Sequence, residues 1–196
     1  MLSTRRPDAR FRSVRTVLLS AVLAVSFAVF PAWADQKDPR LDSLFGQLLT
    51  TADFAKAAQL TGEIWEVWID AGEPEIDQLM TDGVNALDVG DFKRALTAFD
   101  QIVAMRPGFA EGWNKRATVY YLMGRMDESL DDVERTLELE PRHFGALSGR
   151  GLIYMATGQM PQALAAFEHA LDTNPHMPAI RDRVEWLRTH LKENAI

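Results

Sequence analysis

The 196-residue chain contains no cysteine. Disulfides, a lipid-modified cysteine anchor, thiol nucleophiles and iron–sulfur ligation are excluded, and packing alone must hold the fold. There is no low-complexity tract and no long block of like charge. At 47% hydrophobic and 25% charged residues, the composition is that of one ordinary globular domain. H-E-x-x-H, G-x-S-x-G and a phosphate-binding glycine loop are all missing. The histidines are His143, His169, His176 and His190. His169 and His176 flank Asn174-Pro175, which ends a helix, so one helical face cannot present both. Gly145, Gly149 and Gly151 resemble a glycine-rich loop only in isolation, because they fall within a helical stretch. No catalytic residue, cofactor or metal is therefore expected. A formal charge of −7 argues against nucleic acid, whose phosphates are held by Lys and Arg.

The N-terminus follows a different rule. Arg5, Arg6, Arg10, Arg12 and Arg15 precede an apolar run from Val17 to Phe30, then Pro31 and Ala32-Trp33-Ala34. A basic start, a run of 14 apolar or small residues and an A-x-A ending make a secretory signal over 1–34, cleaved after Ala34. The run is shorter than the roughly 20 residues of a spanning helix. Retained, it would anchor the domain in an inner membrane, the only route to membrane contact. A mitochondrial presequence fits less well, since those are amphipathic. The Arg5-Arg6 pair is followed by Pro7 and Asp8, which suits a twin-arginine signal poorly. Export without cysteine points to a bacterial periplasm. Losing five arginines and one aspartate would take the formal charge from −7 to −11.

The rest of the chain repeats. Pro107, Pro141 and Pro175 recur with a period of 34, as do Gly90, Gly124 and Gly158. In the same register come Leu79, Trp113 and Leu147, then Gly83, Ala117 and Gly151, then Ala86, Tyr120 and Tyr154. Later in each unit come Ala95, Ser129 and Ala163, then Phe99, Val133 and Phe167, then Ile102, Thr136 and Ala170. Trp113, Ala117 and Tyr120 are offset by four and three, so they share one helical face. The glycine ends the first helix of each unit without a Cβ penalty, and the proline ends the second. The small residue at 83, 117 and 151 lets paired helices approach closely. Each unit thus reads as a hairpin of two helices, and a fixed period marks an array.

These residues resemble the tetratricopeptide repeat family over 76–109, 110–143 and 144–177. The resemblance implies an all-α, right-handed superhelical array, an α-solenoid without a reaction chamber. Departures are Val133 for an aromatic and Ile102 and Thr136 for alanine; Pro161 falls in a first turn, where a missing N–H is tolerated. Residues 35–75 carry two further helical stretches, read as a degenerate hairpin ahead of the first unit. Trp65 and Trp68 share a face there, expected to pack on the first helix of unit one rather than stack a ligand. Residues 178–196 form a capping helix with Ile180, Val184, Leu187 and Leu191 inward. The acidic residues Asp127, Glu128, Asp131, Asp132 and Glu134 read as a solvated convex face.

The resemblance also implies that the first helices line the concave side. Beside the core stripe they present Met80, Val84 and Leu87, then Asn114, Thr118 and Tyr121, then Ser148, Leu152 and Met155. With Lys115, these are the candidate groove residues. Only Asn114 and Lys115 approach the clamp of Lys, Asn and Arg by which some members grip a carboxylate, so a mostly apolar peptide is the expected ligand. Adaptable methionines suit such a groove. Alternatively, these stripes pack on neighbouring helices or are filled by the chain's own segment 35–50. The reading is a non-catalytic scaffold for a peptide or protein partner. Its rivals are a self-associating envelope protein and, last, an enzyme or metal site in the N-terminal hairpin, where Asp42, Asp53, Glu63 and Glu66 are almost the only polar candidates.

Overall fold

The computed structural model describes residues 36–193; the candidate signal over 1–34 lies outside them. The described residues form α1 (Arg40–Thr50), α2 (Phe54–Ile69), α3 (Pro74–Asp88), α4 (Phe92–Met105), α5 (Ala110–Leu122), α6 (Met126–Leu139), α7 (Phe144–Ala156), α8 (Met160–Thr173) and α9 (Pro178–Glu193). None of them is in a strand. Helices α3–α4, α5–α6 and α7–α8 are hairpins, each packed on the next, and α9 packs on α8. Gly90, Gly124 and Gly158 take φ of 74°, 76° and 76°, a left-handed conformation that glycine adopts without strain. Ile180, Val184 and Leu187 bury the stripe of α9 against the last core.

Within each hairpin the helices meet at one small residue. A Cβ on Gly83 would lie 2.5 Å from the ring of Phe99, and Gly151 stands equally close against Phe167. In the middle unit the small partner is Ala117 and the large one Val133, both buried in one cluster. One methyl more on one helix is matched by a smaller side chain on the other. This explains why Val133 departs from the aromatic pattern.

A ladder of ion pairs joins successive units. Arg116 reaches Asp100 at 2.8 Å, Arg150 reaches Glu134 at 3.4 Å and Arg188 reaches Glu168 at 2.7 Å. The three acids keep the period of the repeat. Arg116 also grips Asp132 through two nitrogens and lies over the rings of Trp113 and Tyr120. Asp132 is thus buried and paired rather than part of a solvated acidic face, and Glu128 and Glu134 likewise have arginine partners. Burial lifts the Asp132 carboxyl above its ordinary value against the pull of Arg116.

The N-terminal hairpin does not extend the array. It lies crosswise over the turns that join one unit to the next. The Gln36 side chain donates to Gly108 O and accepts from the Ala110 N–H at 3.3 Å. Asp42 accepts from Arg142 at 2.7 Å, and His176 Nε2 meets Leu48 O at 3.2 Å. Helix α2 returns the other way, with Thr61 at Asn174, Trp65 beside His143 and Phe144, and Ala71 O accepting from Arg106. Its tryptophans therefore pack on the start of unit three, not on the first helix of unit one. That first helix is reached only at its beginning, where Asp77 accepts from the Ala71 N–H at 2.9 Å.

Volume matching at the small position makes a double-mutant prediction. Val133→Phe alone should overpack the middle hairpin and lower stability by about 1–3 kcal/mol. Adding Ala117→Gly should recover most of that loss in urea unfolding. Additive losses from the two changes would refute the match.

Candidate functional site

The inner side of the array is lined by α3, α5 and α7, since α3 also touches α5 and α5 touches α7. The α1–α2 hairpin covers only the beginnings of these helices. There Asn114 and Ser148 are buried and Lys115 is mostly covered, its side chain 23% exposed, while Met80 is buried in the core of the first hairpin at the edge of the covered part. Beyond it Val84, Leu87, Tyr121, Leu152 and Met155 are half-buried and Thr118 is exposed. The sequence-derived groove is thus split. Its near part is filled by the chain's own hairpin, chiefly α2, and its far part is open.

The covered part holds a polar cluster built around Glu111 and His143, in which the buried Trp68 Nε1 has no hydrogen-bond partner among the described residues. His143 is completely buried and caps α7, its Nδ1 accepting from the Ala146 N–H at 3.0 Å. That leaves the proton on Nε2, which donates to Glu111 Oε2 at 2.9 Å. The same oxygen accepts from Asn114 Nδ2 at 2.9 Å, and Lys115 Nζ lies 3.1 Å from Oε1. Trp68 stacks on His143 with centroids 4.1 Å apart and planes 13° from parallel. Trp65 stands edge-on to His143 and Phe144, both at 5.4 Å, and Lys115 sits over it at 5.6 Å.

Burial works to raise the Glu111 carboxyl, but the His143 N–H and the Lys115 ammonium outweigh it and hold it below the usual glutamate range. Lys115 and Asn114, the two clamp-like residues, are therefore committed to Glu111. Glu111 and His143 are the participants that motif searching passed over. Glu111 lies three and four residues before Asn114 and Lys115, so helical spacing alone placed it on their face. His143 carries no such mark, because histidine is an unusual helix cap.

Among the described residues no group of three or more His, Asp or Glu is gathered to hold a metal, and no helix is long and apolar enough to cross a membrane. In the N-terminal hairpin, Asp53 caps α2, Glu63 accepts from Gln59 and Asp42 serves Arg142. At the far end of the open part, Met155, Ala179, Asp182, Arg183 and Trp186 line a groove of about 350 Å³.

The family profile described as tetratricopeptide repeat matches residues 82–135 and 123–178. A TPR repeat-containing protein of Rhizobium etli is 34% identical, over 94% of this chain and 97% of its own. The chain belongs to the tetratricopeptide repeat family. Members of that family are protein-interaction scaffolds rather than enzymes. Two solved structures show the same fold. The Sgt2 TPR domain from Aspergillus fumigatus is 22% identical with a TM-score of 0.58, covering 62% of this chain and 82% of its own. The first TPR of Spaghetti (RPAP3), bound to the HSP90 peptide SRMEEVD, is 17% identical with a TM-score of 0.58, covering 60% and 94%.

Because the Glu111 value is depressed by folding, its contribution to stability is complete above the ordinary glutamate pKa. It fades as pH falls through the lower folded value. Glu111→Gln should therefore lose less stability than the parent between pH 7 and strongly acid solution, by urea titration at each pH. Parallel acid limbs for the two proteins would refute this role.

Proposed function

We propose that this tetratricopeptide repeat protein is a scaffold that holds an extended or helical peptide of a partner protein in the open part of its inner channel. The observation that carries this reading is the uncovered stripe. Val84, Tyr121, Leu152 and Met155 are half-buried on successive first helices and lead into the groove beside Trp186. An apolar side chain entering there loses water without displacing any described helix. Thr118 and the phenol of Tyr121 supply hydrogen bonds beside it. The covered residues Asn114, Lys115 and Ser148 serve by shaping the wall rather than by touching the peptide. The HSP90 peptide on the first TPR of Spaghetti supports peptide capture as a use of this fold. We also place the protein in the periplasm, exported by the 1–34 signal and released after Ala34.

A second reading has one observation in its favour. Among the described residues no helix stacks on the outer side of α3–α4, because the N-terminal hairpin lies elsewhere. The shallow groove there carries Asp82 and Asp91 beside Lys93 and Arg94, charges of both signs that two copies would pair. Sedimentation at two concentrations separates this self-association from capture of another protein.

A photoreactive residue at position 118 should crosslink a partner in cells, whereas one at the exposed convex position 131 should not. Thr118→Arg should abolish that capture with helical content unchanged, since Thr118 is exposed. Capture that survives Thr118→Arg would remove the channel from consideration. Mass spectrometry of the exported protein should begin at Asp35; an intact Met1 would instead mean a retained anchor.

A further inference from the structure

Where α2 ends and α3 begins, a pocket of about 410 Å³ opens at the edge of the open channel. Its lining is of two kinds. Trp65, Ile69 and Met80 give it an apolar floor, while Glu66, Asp70 and Asp77 stand around it. Among the described residues no lysine or arginine lines it. The cations nearby are engaged: Lys115, over the Trp65 ring, pairs with Glu111, and Arg40, which feels Glu66 and Asp70 from the neighbouring flank of α2, is held by both oxygens of Asp38. Two of the acids are positioned by the backbone. Asp70 accepts from the Gly72 N–H at 2.8 Å and Asp77 from the Ala71 N–H at 2.9 Å.

We propose that this pocket takes a lysine or arginine side chain of the captured peptide, so that the protein selects apolar segments carrying a positive charge at one end. The inference rests on the channel reading given above. A bare cation would leave the floor of Trp65, Ile69 and Met80 wet, and an apolar side chain would leave the charges of Glu66, Asp70 and Asp77 without a counter-charge. A long basic side chain satisfies both, laying its methylene stem on the floor and its head among the acids. The formal charge of −7 favours the same partner at long range. An acid-ended peptide such as SRMEEVD would meet like charge here. The site belongs to neither part alone: α2 and the residue after it supply Trp65, Glu66, Ile69 and Asp70, and α3 supplies Asp77 and Met80.

The test uses the purified protein and three fluorescent peptides of roughly ten residues, long enough to span the channel extended. They share one leucine- and alanine-rich sequence and differ at one end only, in Arg, Gln or Glu. Anisotropy should show the Arg peptide binding about tenfold tighter than the Gln peptide and the Glu peptide weakest, with the spread shrinking in high salt. Glu66 is exposed and makes no side-chain hydrogen bond among the described residues. Glu66→Gln should cut the Arg advantage at least threefold and leave the Gln peptide unchanged. Equal binding of the Arg and Glu peptides overturns the charge selection while leaving the channel standing. Binding of none of the three overturns both. An Arg advantage that Glu66→Gln does not reduce overturns the assignment to this pocket. Binding of all three that weakens as the protein itself is concentrated makes a second copy the occupant and overturns it too.

Discussion

Two helices of a hairpin can lie side by side only as closely as their bulkiest opposed side chains permit. Here a single small residue per unit, at 83, 117 or 151, sets that separation, and the facing ring or valine fills what remains. The consequences spread outward. Close hairpins keep the first helices near enough to touch one another, which turns them to one side as a shared layer. The separation must be nearly equal in every unit for the layer to be continuous. That is why Ala117 requires a smaller partner than Phe99 or Phe167. The Asp100, Glu134 and Glu168 ladder then repeats at the same step, each acid handing its charge to the following unit. Largely exposed pairs of this kind add little stability individually. The Arg116–Asp132 pair is more enclosed, so removing one partner alone would leave a charge without compensation.

A shared layer creates a second problem, because the first turns of α5 and α7 begin on one side, where their caps Phe109 and His143 must be covered. The α1–α2 hairpin answers it by lying across them. Phe109, His143 and Met177 occupy equivalent positions in the repeat, and the hairpin or the residues just before it reach each of these turns. The two tryptophans, Phe45 and Phe144 are the aromatic centre of that cluster, packed among Leu41, Leu48, Leu60 and Ile64. The price is a carboxylate and an imidazole out of water, and the Glu111 network shows how it is met: Oε2 and both ring nitrogens are hydrogen-bonded, and Oε1, without a hydrogen bond among the described residues, has the Lys115 ammonium at ion-pair distance. Such a cluster also orients. A hairpin held by apolar contacts alone could slide along the inner layer, whereas the His143–Glu111 bond and the Trp68 stack admit one register.

How legible all this was in the residues depends on the distance between partners in the chain. Helix pairs, their turns and their inner stripe follow from spacings of 3, 4 and 34, so a local reading reaches them. The N-terminal hairpin itself was also visible, from the apolar spacing over Leu41–Leu49 and Phe54–Asp70. Its position was not. Trp68 meets His143 from two units away along the chain, and no periodicity links a tryptophan in a unique segment to a cap in a repeated one. The same limit hid the split of the groove: Met80, Asn114 and Ser148 belong to the same stripe as Val84, Thr118 and Leu152, and only the crosswise hairpin distinguishes them. Asp132 was misread for a related reason. Its acidic neighbours suggested a wet face, while its arginine partner lies on the preceding helix.

The covering hairpin also changes what kind of selectivity is open to the molecule. A plain repeat array would offer its whole inner layer, and an apolar stripe of that length distinguishes one greasy segment from another only weakly, because each methylene adds little. Closing the near half leaves a narrower channel whose one wall is α2, which carries Glu66 near its end and Asp70 just beyond it. Charge placed at the rim of an apolar floor discriminates more sharply than added area does, since the wrong sign brings repulsion and stranded polar groups together. The residues that come nearest to a carboxylate clamp, Asn114 and Lys115, are turned to holding Glu111 instead, so the positive charge of the inner layer is neutralised at its source. A peptide entering as proposed would meet acid at the α2–α3 end, a mostly apolar stripe along the middle and charges of both signs, Asp182 and Arg183, at the far end. That polarity follows from where the hairpin lies, and under the proposed peptide capture it would make direction as well as composition part of the selection.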